Sequence, residues 1–393
     1  MTIEESRRAS KVAVSLAVFA WNEQEIIASA LNSIFEQSLF AELAPRGEFG
    51  EVVCVVNGCS DRTPSIAQEV FDRQTLAHPH RKAFRCRVEN LPQPGKLNAW
   101  NQFVHSLSAK EARCLFMADA DIVISPGTLW NMFRDLEHDP DANITVDRPR
   151  KDISFKARKS WRERLSLSAS QTTQAAPAQL CAQLYCIRSE VARNIYLPKD
   201  LSACEDGFIK VLVCTDFLSH EVWPRRIRLA TNAEHTFQAY CSAAEILKNQ
   251  KRQIIGQTMV HLIVDKYLKN LPPAEKQRLA STLQEKEARD PLWLKRMIAD
   301  HLQCTTRFWR LYPGLLTHRF RRLATLSPAK WIASLPVALA SLPITLISCA
   351  MAHSFLKSGS TRYWPEVRRT AAGFKSKSGH GAWSLKTESA KPK

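Results

Sequence analysis

Two carboxylates one residue apart, Asp119 and Asp121, follow directly on the uncharged run C-L-F-M-A at 114–118. Like charges at that spacing repel and need a cation between them, and hard divalent ions such as Mg²⁺ or Mn²⁺ prefer carboxylate oxygens. A second acidic pair, Glu205-Asp206, precedes the apolar stretch G-F-I-K-V-L-V. It reads as the acid-rich start of a helix. Further polar clusters stand at W-N-E (21–23), N-G-C-S-D-R-T (57–63) and G-K-L-N-A-W-N (95–101). Asn22 with Glu25 has the spacing of a capping box, and Asp61 with Thr63 suits a turn before a helix, so both have a structural reading beside a binding one.

The elements that must carry these clusters follow from period. Residues 11–19 are a β-branched apolar run, and Ile27, Leu31 and Ile34 then share one helix face. Residues 51–56 read as a second buried strand, and Thr63-Pro64 opens another helix with proline at its first turn. Residues 84–88 alternate as a strand, 97–107 have a helical period, and 114–118 form one more buried strand. Strand and helix alternating at this spacing predict a Rossmann-like α/β fold, a mostly parallel sheet flanked by helices. In such a sheet ligands lie in the crevice beyond the carboxyl ends of the strands, where W-N-E, N-G-C-S-D-R-T and D-A-D fall.

Of the net charge of +17, +13 comes from residue 301 onward, where 15 Lys/Arg face only Glu366 and Glu388. The basic character therefore belongs to a tail, and the preceding 300 residues have the near-neutral balance of an ordinary soluble enzyme. Within the tail, residues 331–352 carry no charge. A helix of that length is about 33 Å long and would cover a hydrocarbon core. Arg319, Arg321, Arg322 and Lys330 precede the run, and Lys357 and Arg362 follow it. Cations around an apolar segment favour an anionic membrane surface over nucleic acid as partner; a buried helix pair is the alternative. Eleven cysteines without a C-x-x-C spacing fit reduced thiols rather than a disulfide framework or a zinc site. The polar start MTIEESRRASK, followed by a short apolar run, does not read as a secretory signal.

Five motifs in order resemble glycosyltransferase family 2, whose fold is GT-A. They are V-S-L-A-V-F-A-W-N-E-Q-E near the start, V-V-N-G-C-S-D-R-T, G-K-L-N-A-W-N, F-M-A-D-A-D and Glu205-Asp206, together spanning some 200 residues. The resemblance implies a nucleotide sugar, UDP-linked by preference, across the strand ends. Asn22, Glu23, Asn57, Asp61, Lys96, Asn98, Asp119 and Arg252 would bind that donor. Asp121 and Asp119 would hold Mg²⁺ or Mn²⁺, with His235 as a third ligand or a structural residue. Asp206, helped by Glu205, would act as general base on an acceptor hydroxyl that inverts the anomeric carbon. The division expected is a catalytic domain at 1–232, a helical extension at 233–328 and a membrane-associating, basic region at 329–393.

Two departures qualify this picture. Valine stands at position 56, where the family commonly has an acid that pairs with the nucleotide base; Asn57 or Asp61 would have to substitute. The Q-x-x-R-W pattern of processive synthases survives only as N-Q-K-R-Q at 249–253, which favours transfer of a single sugar. The basic segment R-P-R-K (148–151) and K-A-R-K-S-W-R-E-R (156–164) reads either as a solvated helix or as a mobile element suited to an anionic, lipid-linked or saccharide acceptor. The expectation is a glycan-building enzyme at the cytoplasmic face of the inner membrane. A sugar-phosphate nucleotidyltransferase is a rival, but the glycine-rich loop it needs after the first strand is replaced here by F-A-W-N-E. A non-catalytic assembly subunit of the same fold is the other.

Overall fold

The computed structural model describes residues 11–160, 163, 164, 167, 179–201, 203–239, 242–305, 307–317, 331, 335, 339 and 341–361. The β-branched and apolar runs pair into one sheet. Its strands are β1 (Lys11–Ala20), β2 (Glu48–Asn57), β3 (Phe84–Leu91), β4 (Cys114–Asp119), β5 (Ile122–Ile124), β6 (Ile144–Lys151), β7 (Leu184–Arg188) and β8 (Ile227–Phe237). They lie in the order β3-β2-β1-β4-β7-β6-β8-β5. The first four are parallel, as the alternation with helices requires. β7 then runs antiparallel to β4 and β6, β6 is parallel to β8, and β5 is antiparallel to β8.

Register brings the polar clusters to one edge. Ala20, the last residue of β1, lies beside Val56, which lies beside Asn90, and Phe19 lies beside Asp119. The segments after β1, β2, β3 and β4 therefore all leave the sheet at the same side. Among the described residues, the helices of seven residues or more are α1 (Ile27–Phe35), α2 (Thr63–Ala77), α3 (Lys96–Gln102), α4 (Thr128–His138), α5 (Glu205–Cys214), α6 (Ala243–His261), α7 (Leu279–Arg289), α8 (Trp293–Cys304) and α9 (Leu342–Lys357). Proline sits in the first turn of α2 as anticipated. The helical run predicted over 97–107 is split into α3 and a π-turn at Phe103–Leu107.

Apolar side chains cover both sheet faces. One cluster joins Leu16, Val52 and Phe116 to Leu31 of α1, Val70 of α2 and Phe133 of α4. The other joins Phe19, Trp100 and Tyr185 to Ile255 of α6, Leu283 of α7, Leu294 of α8 and Leu356 of α9. The helical region after β8 thus shares its core with the sheet. The ten cysteines among the described residues are all free, as expected of reduced thiols.

Two segments differ from their sequence reading. R-P-R-K at 148–151 is the end of β6, not a mobile loop, because it pairs in register with β8 and Arg150 Nε lies 3.7 Å from Glu234 Oε2. In the uncharged run 331–352, residues 332–334, 336–338 and 340 lie outside the described residues, as do the basic residues Arg319, Arg321, Arg322, Lys330 and Arg362. From Leu342 the run lies in α9, whose Ser348, Cys349, Ala352 and Leu356 are buried against the protein. Among the described residues, no helix is long and apolar enough to cross a membrane.

The tightest helix contact faces the acidic pair. Gly256 of α6 packs on the turn before α5 so closely that a Cβ there would stand 2.5 Å from the Ala203 carbonyl oxygen and 2.8 Å from Cys204 Sγ. Cys204 itself adopts φ +62° to start α5. Overpacking at such a site outweighs the ~1 kcal/mol that alanine adds to a helix. Gly256→Ala is expected to cost about 2 kcal/mol net, read as a lower urea midpoint with unchanged slope. A neutral or stabilising result would show that the turn is free to move.

Candidate active site

β4 ends at Asp119, and the chain passes Ala120 and Asp121 before β5. Asp119 Oδ1 lies 2.6 Å from Lys96 Nζ, and the same ammonium lies 3.1 Å from Glu205 Oε1. Its third contact is the Ala182 carbonyl oxygen at 3.4 Å. Lys96 is the first residue of α3, and Glu205 is the first of α5. One cation thus ties the D-A-D strand end to the G-K-L-N and E-D motifs. Burial alone would lower the lysine's pKa, but Asp119 and Glu205 outweigh it and hold it above the usual range.

The two members of the E-D pair are set differently. Burial works to raise the Glu205 carboxyl, yet Lys96 and then Arg252 of α6 overcome it and hold it below the usual carboxylate range. Asp206 is pushed up to about 6 by burial and by the adjacent Glu205 charge. Its Oδ1 accepts the Gly207 N–H at 2.8 Å, which fixes the carboxylate in the first turn of α5. The helix-start and functional readings of this pair therefore coexist. Asp121 is 8% exposed.

The loops after β1 and β2 are laced together by backbone bonds. Asn22, at φ +55°, accepts the Ser60 N–H on Oδ1 at 2.9 Å. The Glu23 N–H donates to Thr63 Oγ1 at 2.8 Å, and Asp61 accepts from Gln24 N–H at 3.1 Å and Thr63 N–H at 3.0 Å. Asn57 is buried, donating to the Ala20 carbonyl at 2.9 Å and accepting from Gly95 N–H at 3.0 Å. Asn98 donates to the Gln93 carbonyl at 3.3 Å. Asn22 does not form the capping box suggested by Glu25, because α1 begins only at Ile27 and carries no side-chain cap. Gly58 closes the arrangement: at φ +68° its missing Cβ would meet Pro94 Cβ at 2.9 Å. Val56 is fully buried and cannot face a ligand.

Behind the strand ends lies a network that sequence reasoning did not find. His235 Nδ1 is 2.7 Å from Asp147 Oδ2, with both side chains fully buried, and His235 Nε2 is 3.3 Å from Gln183 Oε1. The Gln183 carbonyl in turn accepts the Asp119 N–H at 2.9 Å. His235 is therefore engaged on both ring nitrogens and supports the D-A-D segment from β8. The available signal was a charged residue, Asp147, at a position where I-T-V-D begins an apolar strand. Nearby, burial pushes the Cys181 thiol up to about 12 and leaves it inert.

The donor set suits a hard divalent ion. Among the described residues no three His, Cys, Asp or Glu side chains form a complete metal cage. Asp119 and Asp121 are the carboxylates that would hold such an ion, with a nucleotide's own phosphate oxygens needed to complete the shell.

Residues 15–188 match the model of glycosyl transferase family 2. These residues form a glycosyltransferase family 2 domain, GT-A in fold, and the chain carries it as a glycosyltransferase. Among solved structures it is similar to the mannosyltransferase PcManGT from Pyrobaculum calidifontis in complex with GDP-Man and Mn²⁺. That likeness has 16% identity over 88% of each chain, with a TM-score of 0.51. S. aureus TarS 1-349 gives 14% identity over 88% of this chain and 92% of that one, with a TM-score of 0.45. M. tuberculosis glucosyl-3-phosphoglycerate synthase gives 16% over 70% and 87%, with a TM-score of 0.40. At these identities the likeness concerns the fold. A comparison with curated proteins finds no match.

Removing one partner from a buried charge cluster leaves the others uncompensated, at a cost of about 3–5 kcal/mol. Lys96→Met should lose stability on that scale in urea unfolding at pH 7, and Glu205→Gln in the same background should restore part of it. A loss below about 1 kcal/mol, in the range of an exposed pair, would contradict the central role given to this lysine.

Proposed function

We propose that the protein transfers a single sugar from a nucleotide-sugar donor to a hydroxyl of a lipid-linked or saccharide acceptor, with inversion, in cell-surface glycan synthesis at the cytoplasmic face of the inner membrane. The observation that carries the chemistry is the pairing of the Lys96 ammonium with Asp119 and Glu205, beside which Asp206 is fixed in the first turn of α5 with Oδ1 on the Gly207 N–H. Glu205 is tied up by Lys96, whereas Asp206 is poised with a pKa of about 6. A base with that value is ionised at neutral pH yet takes a proton more readily than an ordinary aspartate.

In this reading the diphosphate of the donor lies against Asp119, Asp121 and Lys96, with Arg252 as a further cation near the E-D pair. Asp119 and Asp121 would hold the Mg²⁺ or Mn²⁺, which neutralises negative charge on the departing nucleoside diphosphate. Asp206 accepts the proton of the acceptor hydroxyl while that oxygen bonds to the anomeric carbon and the nucleoside diphosphate leaves from the opposite face. One displacement inverts the centre and needs no nucleophilic side chain. Lys96 holds Glu205 ionised and keeps the first turn of α5 against the end of β4. The laced loops of Asn22, Asp61 and Asn57 keep the donor side rigid rather than contributing reacting groups. A UDP-sugar is the favoured donor. The buried Val56 removes the usual acidic partner for the base, so a GDP-sugar belongs in any donor panel.

Because Asp206 must be deprotonated to work, kcat/KM should rise with pH through about 6 and level off above it. Asp206→Asn should abolish that limb and lower transfer by about 10²–10⁴-fold while leaving donor binding within a few-fold of wild type. Transfer that survives in Asp206→Asn at near wild-type rate would remove this residue from the mechanism.

A further inference from the structure

The helix α9 has two apolar faces, and the protein covers only one. Ser348, Cys349, Ala352 and Leu356 point inward, where Ser348 Oγ lies 3.5 Å from Gln250 Oε1 of α6 and Lys251 Nζ stands 4.6 Å over the Phe355 ring. Leu346, Ile347 and Met351 point outward and are 37%, 51% and 38% exposed. Three large apolar side chains on adjacent turns of one helix make a contiguous patch rather than scattered exposure.

Charge identifies what covers it. From residue 301 to 365 the chain contains no Asp or Glu, while Lys/Arg recur on both sides of the apolar run. A second copy would bring a tail of the same positive sign, and like charges oppose association. An anionic lipid surface answers both the apolar patch and the cations that flank the run in the sequence. A 16-residue helix spans only about 24 Å, short of the ~30 Å hydrocarbon core, and its inner face is already held by the protein.

We infer that α9 is an in-plane membrane-binding helix, lying along an anionic bilayer with Leu346, Ile347 and Met351 sunk among the acyl chains and its opposite face packed on α6. This deepens the membrane placement proposed above and rests on it. The consequence reaches the active site. α6 carries Arg252, beside Glu205 and Asp206, and Gly256, against the turn that starts α5. Beyond α9, Thr361 Oγ1 donates to Asp200 Oδ1 at 3.1 Å, four residues before that turn. The helix that meets the membrane is thus one layer from the proposed base, and would fix the acceptor side of the crevice toward the lipid.

The test is co-sedimentation of the full chain with phosphatidylcholine vesicles, with or without phosphatidylglycerol, at low and high salt. Binding should require the anionic lipid, weaken severalfold in 0.5 M salt, and fall at least tenfold in Leu346→Ser/Ile347→Ser/Met351→Ser. The same variant should retain its melting temperature and its metal-dependent donor hydrolysis in solution. Loss of hydrolysis in the wild type would count against the enzymatic reading alone, since vesicle binding is scored separately. Equal binding by the variant, indifference to anionic lipid, or a wild-type dimer that the variant converts to monomer would each overturn the inference. Should the triple variant fail to fold, Ile347→Cys carrying an environment-sensitive fluorophore, with the labelled wild type as blank, reads the same contact. Its emission should shift to the blue on anionic vesicles and be quenched by labels near the headgroups. No shift, or stronger quenching by labels at the bilayer centre, would overturn an in-plane helix.

Discussion

A single ammonium group holds this molecule's chemistry together. Lys96 Nζ sits between Asp119 and Glu205, two carboxylates contributed by segments 86 residues apart, at the edge where four parallel strands end. Without a cation there, Asp119, Glu205 and Asp206 would crowd negative charge into a poorly solvated crevice, and the cheapest escape would be protonation or separation. With it, Glu205 stays ionised, and its charge helps raise Asp206 toward neutrality. The same contact that stabilises the fold therefore sets the difference between two adjacent acids.

Much of the remaining structure serves to keep that contact in register. The loops after β1 and β2 are tied to each other through Asn22, Asp61 and Thr63. Asn57 ties the end of β1 to the loop that delivers Lys96. From behind, the buried His235–Asp147 pair reaches Asp119 through Gln183. From the C-terminal side, α6 presses Gly256 onto the turn at Cys204, and α9 presses on α6. A buried ion pair is weak evidence for stability by itself, because desolvation offsets its attraction. Its value here is geometric, as one fixed arrangement of dipoles and charges around the strand ends.

How much of this was legible in the sequence depended on locality. The parallel strands β1 to β4 and the helices between them were readable because each buries a continuous apolar run and is punctuated by turn residues. The D-A-D and E-D pairs stood out because like charges so close together need a reason. The strands β5 to β8, of mixed direction, were not legible. β6 mixes I-T-V-D with R-P-R-K, and its pairing with β8 joins segments about 85 residues apart, which no local period records. The Asp147–His235 pair was invisible for the same reason, since neither residue has a partner within reach along the chain. The roles of Asn57 and Asp61 were only half legible: the turn chemistry around Asp61 was evident, but its bond to Gln24 depends on the register of β1 against β2. The absence of charge from 331–352 is plain in the sequence. Hydropathy could not tell that α6 would claim one of its faces.

The carboxylates gathered around Lys96 should form a cation-dependent nucleotide-sugar site. The most direct measurement is titration calorimetry of UDP- and GDP-sugars against the purified protein, with Mn²⁺ or with EDTA, and with Asp121→Ala as the comparison. The account predicts saturable binding of one nucleotide class that requires the metal and is lost, or weakened at least a hundredfold, in the variant. Binding that is indifferent to metal and to Asp121, or no binding of any nucleotide sugar with or without the ion, would contradict it.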